Sequence, residues 1–124
     1  MTNKYAKLKT LIKNAYAPLT GVKVAAILVT DKGEFKGVNI ENIVCSLSIC
    51  AERCALFAGI TAGAKQVKEI HLMSNRDKIT MCGACRQMLS SWAKKDAKVY
   101  VYDLKTGKYT TTTLGQLLPK TTIC

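Results

Sequence analysis

Acidic and aromatic side chains are both scarce in this chain: eight Asp and Glu face nineteen Lys and Arg, and aromatics are 6% of 124 residues. So few rings leave little surface for stacking single-stranded bases. The sixteen lysines are scattered, with only Lys94 and Lys95 adjacent, and there are three arginines. The +11 formal charge therefore reads as a solvated basic surface before a nucleic-acid interface, although polyanion contact stays open. The longest apolar run, Val24 to Val29, is too short to cross a bilayer. The N-terminal segment has no apolar signal core, so a cytoplasmic location is expected. In that compartment thiols stay reduced, and six cysteines point to metal binding or packing before disulfides. Histidine occurs once, at His71 between Ile70 and Leu72. With no second histidine or carboxylate at ligand spacing, it reads as a structural strand residue.

What is present is enough for one globular domain spanning 1–124, with hydrophobic content of 48% and no repeat, linker or low-complexity stretch. Residues 3–15 read as a helix with Tyr5, Leu8, Leu11, Ile12 and Ala15 on one stripe. Residues 22–30 and 34–40 read as strands joined by a turn at Asp31-Lys32-Gly33. A helix over 51–61, a strand over 67–74 and a helix over 83–93 follow, the last with Met88, Leu89 and Trp92 facing inward. Strands over 98–103 and 108–113 and a short helix over 114–118 complete the chain. The pattern predicts an α/β fold, a three-layer α/β/α sandwich around one mixed five-stranded sheet.

The chemistry is concentrated in Cys50-Ala51-Glu52-Arg53 and Cys82-Gly83-Ala84-Cys85-Arg86-Gln87. Cys82 and Cys85, three apart at a helix start, put both sulfurs on one side, and Cys50 opens the other helix. Helix N-termini carry partial positive charge that favours thiolate. Three thiolates form a zinc site with its fourth position open, which is the pattern of a hydrolytic rather than a structural centre. Glu52, beside a ligand without being one, is placed to move protons. Such a centre is strongly anionic, and hydrogen bonds to sulfur from Arg53 or Arg86 would offset that charge. A structural zinc site needs a fourth ligand. Cys54 lies one helical turn from Cys50 but reads as a small core residue. Cys45 and Cys124 have no ligand spacing and read as packing or surface thiols. A redox role for the Cys82/Cys85 pair lacks the expected flanking context.

These motifs, together with Asn39-Ile40-Glu41-Asn42, resemble those of the small homotetrameric cytidine deaminases, and the likeness runs from Ala15-Tyr16-Ala17-Pro18 to Leu117-Leu118-Pro119. The resemblance implies a cytidine deaminase-like fold and one Zn2+ per chain held by Cys50, Cys82 and Cys85. It also implies Glu52 as the proton shuttle acting on N3 and the departing C4 amine of cytidine or deoxycytidine, in pyrimidine salvage. Asn39 and Glu41 resemble the pair that grips the ribose, chiefly its 3′-hydroxyl; taken alone, they read as a strand end and turn. The Ala51 amide resembles a contact to the pyrimidine carbonyl. The implied partners are a nucleoside substrate and three further copies of the chain with shared active sites, without nucleic acid or membrane. A base within nucleic acid or a nucleoside-like antibiotic is the alternative substrate. Departures from the family pattern are Leu19 for a tyrosine, Val22 for a phenylalanine, Cys45 where an aromatic is common, and Met81 for a proline. The sequence also ends at Cys124 without the family's usual aromatic-bearing extension. Most of these departures remove aromatic surface, and weaker nucleoside binding is expected.

Overall fold

A computed structural model describes residues 3–121. In order, the elements are α1 (Asn3–Leu11), a 3-10 turn (Ile12–Asn14), β1 (Val24–Thr30), β2 (Gly33–Val38) and a second 3-10 turn (Cys45–Leu47). Then come α2 (Ala51–Thr61), β3 (Val67–Ser74), α3 (Gly83–Ser90), β4 (Ala93–Asp103), β5 (Tyr109–Thr113) and α4 (Leu114–Leu117). The five strands form one sheet in the order β2-β1-β3-β4-β5. Only β3 and β4 run parallel, as the crossover through α3 requires. The mixed α/β/α arrangement predicted from the sequence is present.

Both faces of the sheet are covered near its centre, which explains why β1 reads as an unbroken apolar run. Ala26 and Leu28 join Ile70, Leu72 and Val99 in a core against α2 and α3, which also holds Met81, Cys85, Leu89 and Leu114. Ala25 and Ile27 face the other way and pack with Met73 and Tyr102 against Leu8 and Ile12. The alternation follows from the two-residue period of a strand. Leu8, Ile12 and Ala15 are buried as their spacing predicts, whereas Tyr5 and Leu11 are only half-buried.

Several boundaries differ from expectation for identifiable reasons. The first α-helix stops at Leu11 and tightens into a 3-10 turn. β1 begins at Val24 because the Asn39 side chain, rather than a neighbouring strand, pairs with the Val22 carbonyl and the Val24 amide. α3 ends at Ser90, because Val67 donates to the Trp92 carbonyl (2.8 Å) and draws the chain back into the sheet. β4 consequently starts at Ala93, and the register jumps from Val67↔Ala93 to Glu69↔Lys98 across a bulge. Met88, expected in the core, is 37% exposed. The inward side of this short helix is set by Cys85 and Leu89, one turn apart.

Gly37 sets how closely α2 lies on the sheet. It pairs with Ala26, and a Cβ there would overlap the Ala51 carbonyl oxygen and the Ala55 amide and touch the Cys54 Cβ at 3.0 Å. The first turn of α2 is therefore laid directly on the backbone of β2. Gly37→Ala should destabilise the protein by roughly 1–3 kcal/mol through overpacking and displace the start of α2. An unchanged thermal unfolding midpoint would show that α2 has room to move.

Candidate functional site

Two helix N-termini converge on one point. Cys50 is the N-cap of α2 and Cys82 the N-cap of α3, both with extended backbone. The Cys82 sulfur accepts the Cys85 amide at 3.4 Å, a side-chain cap made by sulfur instead of oxygen. Cys85 follows within the first turn and is fully buried. The sulfurs of Cys50 and Cys82 are 3.6 Å apart, those of Cys82 and Cys85 3.3 Å apart, and all three lie within 4.8 Å of one another. A tetrahedral zinc with Zn–S bonds of about 2.3 Å holds its sulfurs about 3.8 Å apart. The spacing and the soft donor set fit zinc. Among the described residues Cys54 is outside this cluster and faces Gly37 instead. Cys124 lies outside the described residues.

The cluster is electrostatically incomplete. Cys50 is held down to about 5, chiefly by hydrogen bonding with Cys85 and further by Arg53, whose Nη2 donates to the Cys50 sulfur at 3.5 Å. Cys85 is pushed well above the thiol range by the same Cys50 contact and by burial. Three crowded thiols cannot all ionise unaided, and a cation among them removes the conflict. The Arg53 Nε is buried with no hydrogen-bond partner among the described residues. Its guanidinium is thus held at the sulfurs by one edge.

Glu52 is 5% exposed and lies outside the three-sulfur cluster. Burial pushes its carboxyl up to about 7, and the negative charge on Cys50 adds to the rise. Glu52, Cys50 and Cys82 line a cleft of about 400 Å³ that also takes in Val22, Asn39, Glu41, Cys45, Ala51 and Arg53. That volume lies in the range of small-molecule sites. A larger hollow of about 610 Å³ opens beyond the ends of β3 and β4. It contains no thiol, so the chemistry belongs to the smaller cleft.

Asn39 and Glu41 reach this cleft but are already engaged. The Asn39 Oδ1 accepts the Val24 amide at 2.8 Å, and its Nδ2 donates to the Val22 carbonyl at 2.7 Å. Glu41 accepts the Leu19 and Thr20 amides and the Thr20 hydroxyl, and that hydroxyl holds its carboxyl below the usual range. Together they strap residues 19–24 to the loop before α2, whose course is fixed by the bridges Tyr16↔Ile40 and Ile40↔Ile49. Asn39 directly follows the end of β2, as the strand-end reading has it, neither residue lies in a turn, and both line the cleft. Ala51 is fully buried at the first position of α2.

Arg86 differs from expectation. Its hydrogen bonds go to the Met81 carbonyl (2.8 Å), the Leu117 carbonyl (2.7 Å) and the Thr80 hydroxyl (3.1 Å), with none to sulfur. On α3 it emerges one turn beyond Cys82, next to the segment leading into the helix. Met81, in place of a proline, is 1% exposed and anchors that segment in the core. His71 is a buried strand residue, with Nδ1 2.8 Å from the Tyr102 hydroxyl and its ring stacked on Tyr100. It does have a carboxylate neighbour, since Glu69 lies two residues back on the same face, 2.9 Å from Nε2. The sequence reading also missed Thr20 and Asn75. Asn75 bonds the Gly21 carbonyl and the Lys23 amide across 52 residues or more, and no local signal marks it.

A family model described as the cytidine and deoxycytidylate deaminase zinc-binding region matches residues 2–102. The cytidine deaminase of Halalkalibacterium halodurans is 37% identical over 109 residues, covering 86% of this chain and 82% of that protein. That of Sporosarcina psychrophila is 34% identical over 116 residues, covering 92% and 85%. The crystal structure of cytidine deaminase from Burkholderia pseudomallei superposes with a TM-score of 0.88 at 35% identity, covering 98% of this chain and all of that one. Among the described residues no helix is long and apolar enough to cross a membrane.

The sulfur geometry makes a paired prediction. Cys85→Ala should abolish stoichiometric zinc uptake and lower the unfolding midpoint of metal-loaded protein, because metal binding couples to folding. Cys54→Ala should keep its zinc. Loss of zinc from both variants, measured by metal analysis after dialysis, would contradict the three-sulfur assignment.

Proposed function

Because this chain belongs to the cytidine and deoxycytidylate deaminase zinc-binding family, a family of hydrolytic enzymes, we propose that it converts cytidine and deoxycytidine to uridine and deoxyuridine. The observation that carries the reading is a buried carboxylate beside three convergent sulfurs in a cleft of nucleoside size. Cys50, Cys82 and Cys85 hold one zinc per chain, which when bound supplies the Lewis acidity that makes water a nucleophile near neutral pH. Glu52 takes a proton from the attacking water and delivers it to N3 of the ring. Water oxygen bonds to C4, the C4–N4 bond breaks, and Glu52 passes the second proton to the departing amine, which leaves as ammonia. A carboxyl raised by burial accepts and returns a proton with little bias, as general acid–base work needs. The water-poor setting that raises it also protects the exchange from bulk solvent.

The remaining residues bind and orient. Glu41 and Asn39 present their outer edges to the ribose while their inner edges hold the loops, so the sugar meets groups that are already fixed. The Ala51 amide, at the positive end of α2, faces the ring carbonyl. Arg53 offsets the negative charge of the sulfurs. No residue in this set reads the 2′-hydroxyl, which supports use of both nucleosides. Reduced thiols of this kind suit a cytoplasmic enzyme of pyrimidine salvage.

The cleft rim suggests assembly. Ile43 is 84% exposed, Leu47 68%, Leu19 56% and Val44 52%, an apolar edge that a tetramer with shared sites would cover. Ile43→Asp should then shift the protein to smaller species in light scattering and reduce turnover. A wild-type monomer that is fully active would contradict assembly as part of the site.

Glu52→Gln tests the mechanism. It should keep zinc and fold but lose at least about 10²-fold in kcat, and retention of turnover would reassign the proton shuttle. Val22→Phe adds a ring at the cleft wall. With stacking on the order of 1 kcal/mol, it should lower the Michaelis constant for cytidine, and an unchanged or higher constant would refute an affinity limited by missing aromatics.

A further inference from the structure

Cys82 is the least protected member of the sulfur cluster. It is exposed, whereas Cys85 is buried within α3, and it is reached by a polar segment, 75–80, that has no regular structure and carries Lys78 at a positive φ of 56°. Only Met81, immediately before it, is buried in the core. Something must fix the entry of this segment into α3 if Cys82 is to stay in register with Cys50 and Cys85.

We propose that Arg86 is a positioning residue that clamps the Thr80–Met81 approach to Cys82 against helix α4, so that the last helix of the chain sets the geometry of the metal cluster. The inference rests on the zinc reading above and goes beyond it. The guanidinium makes three bonds in three directions: Nε to the Met81 carbonyl, Nη1 to the Leu117 carbonyl and Nη2 to the Thr80 hydroxyl. A rigid planar fork bonded at three points transmits position, which a flexible point charge cannot do. The Arg86 amide also donates to the Cys82 carbonyl at 3.1 Å, so the clamp and the cysteine share one helical turn.

Helix α4 is built as a fixed post. Leu114 is buried in the core that contains Met81 and Cys85. Thr113 and Gln116 form a reciprocal capping box, which satisfies amides that a four-residue helix would otherwise leave bare. Gly115 lies so close to β4 that a Cβ there would meet the Lys95 carbonyl oxygen at 3.0 Å. The Leu117 carbonyl, at the end of α4 where carbonyls lack helical partners, is the one Arg86 takes. The two arginines thus divide the work: Arg53 touches sulfur and supplies charge, and Arg86 supplies placement.

Position and charge are separated by Arg86→Lys, which keeps the cation and loses the fork. Zinc affinity is measured by chelator competition and site geometry by the absorption spectrum of the cobalt-substituted protein, neither of which needs substrate. Arg86→Lys and Arg86→Gln should both bind zinc about 10–100-fold more weakly, with altered cobalt bands. Gln116→Ala, which loosens α4 without touching the cluster, should weaken zinc binding in the same direction. The double variant with Arg86→Lys should be less than additive, as for members of one network. Wild-type affinity and an unchanged cobalt spectrum in Arg86→Lys would overturn the clamp. Should Arg86→Lys fail to fold, Gln116→Ala decides alone: weaker binding supports the clamp, and unchanged binding overturns it. Wild-type protein that takes up no zinc would overturn the metal reading and the clamp together, whereas zinc binding indifferent to both substitutions removes only the clamp.

Discussion

Three sulfurs within 4.8 Å of one another, beside a buried carboxylate, are the constraint around which the molecule is organised. Left alone they cannot all carry charge: Cys50 is pulled down and Cys85 pushed up by the same contact. A divalent cation would resolve that conflict and leave a stable set of thiolates. The same crowding acts on Glu52, whose proton affinity is raised first by burial and then by the Cys50 charge. The conflict among the thiols and the raised proton affinity of Glu52 are therefore two consequences of one arrangement of groups.

The fold supplies that arrangement by bringing two helix starts together. α2 is seated on β2 where Gly37 presents no side chain to hold it off. α3 enters from the carboxyl end of β3 through a segment anchored by Met81. The sheet beneath them is covered on both faces near its centre, so neither helix start moves without disturbing the core. Asn39, Glu41 and Asn75 tie the loops beside the cleft to one another with side-chain bonds. These are the polar contacts that irregular backbone needs when no strand is available to satisfy it.

Much of this was legible because it is local. Residues 51–61 have helical spacing throughout, and the helix occupies Ala51–Thr61. The strand over Val67–Ser74 is bounded by turn-forming residues and matches equally. Cys82 and Cys85 are brought together by helix geometry, which spacing encodes. Long-range pairings were not legible. Arg86 follows a cysteine and reads as a sulfur donor, yet its shortest hydrogen bond is to a carbonyl 31 residues away. Met88 has an apolar side chain at a plausible position, but Cys85 and Leu89 set the inward side of α3 and leave it on the flank. The early start of β4 depends on one bond between Val67 and Trp92, invisible without the fold. His71 is a different case: its carboxylate neighbour Glu69 is local and becomes apparent once the segment is read with a two-residue period.

The central claim is that this chain becomes a nucleoside deaminase by filling one three-sulfur centre. The most direct test is to titrate zinc into metal-free protein while following the ultraviolet absorbance of cytidine. The account predicts turnover that rises linearly and reaches its plateau at one zinc per chain. Turnover that is independent of zinc, or absent when one zinc per chain is firmly bound, would contradict it.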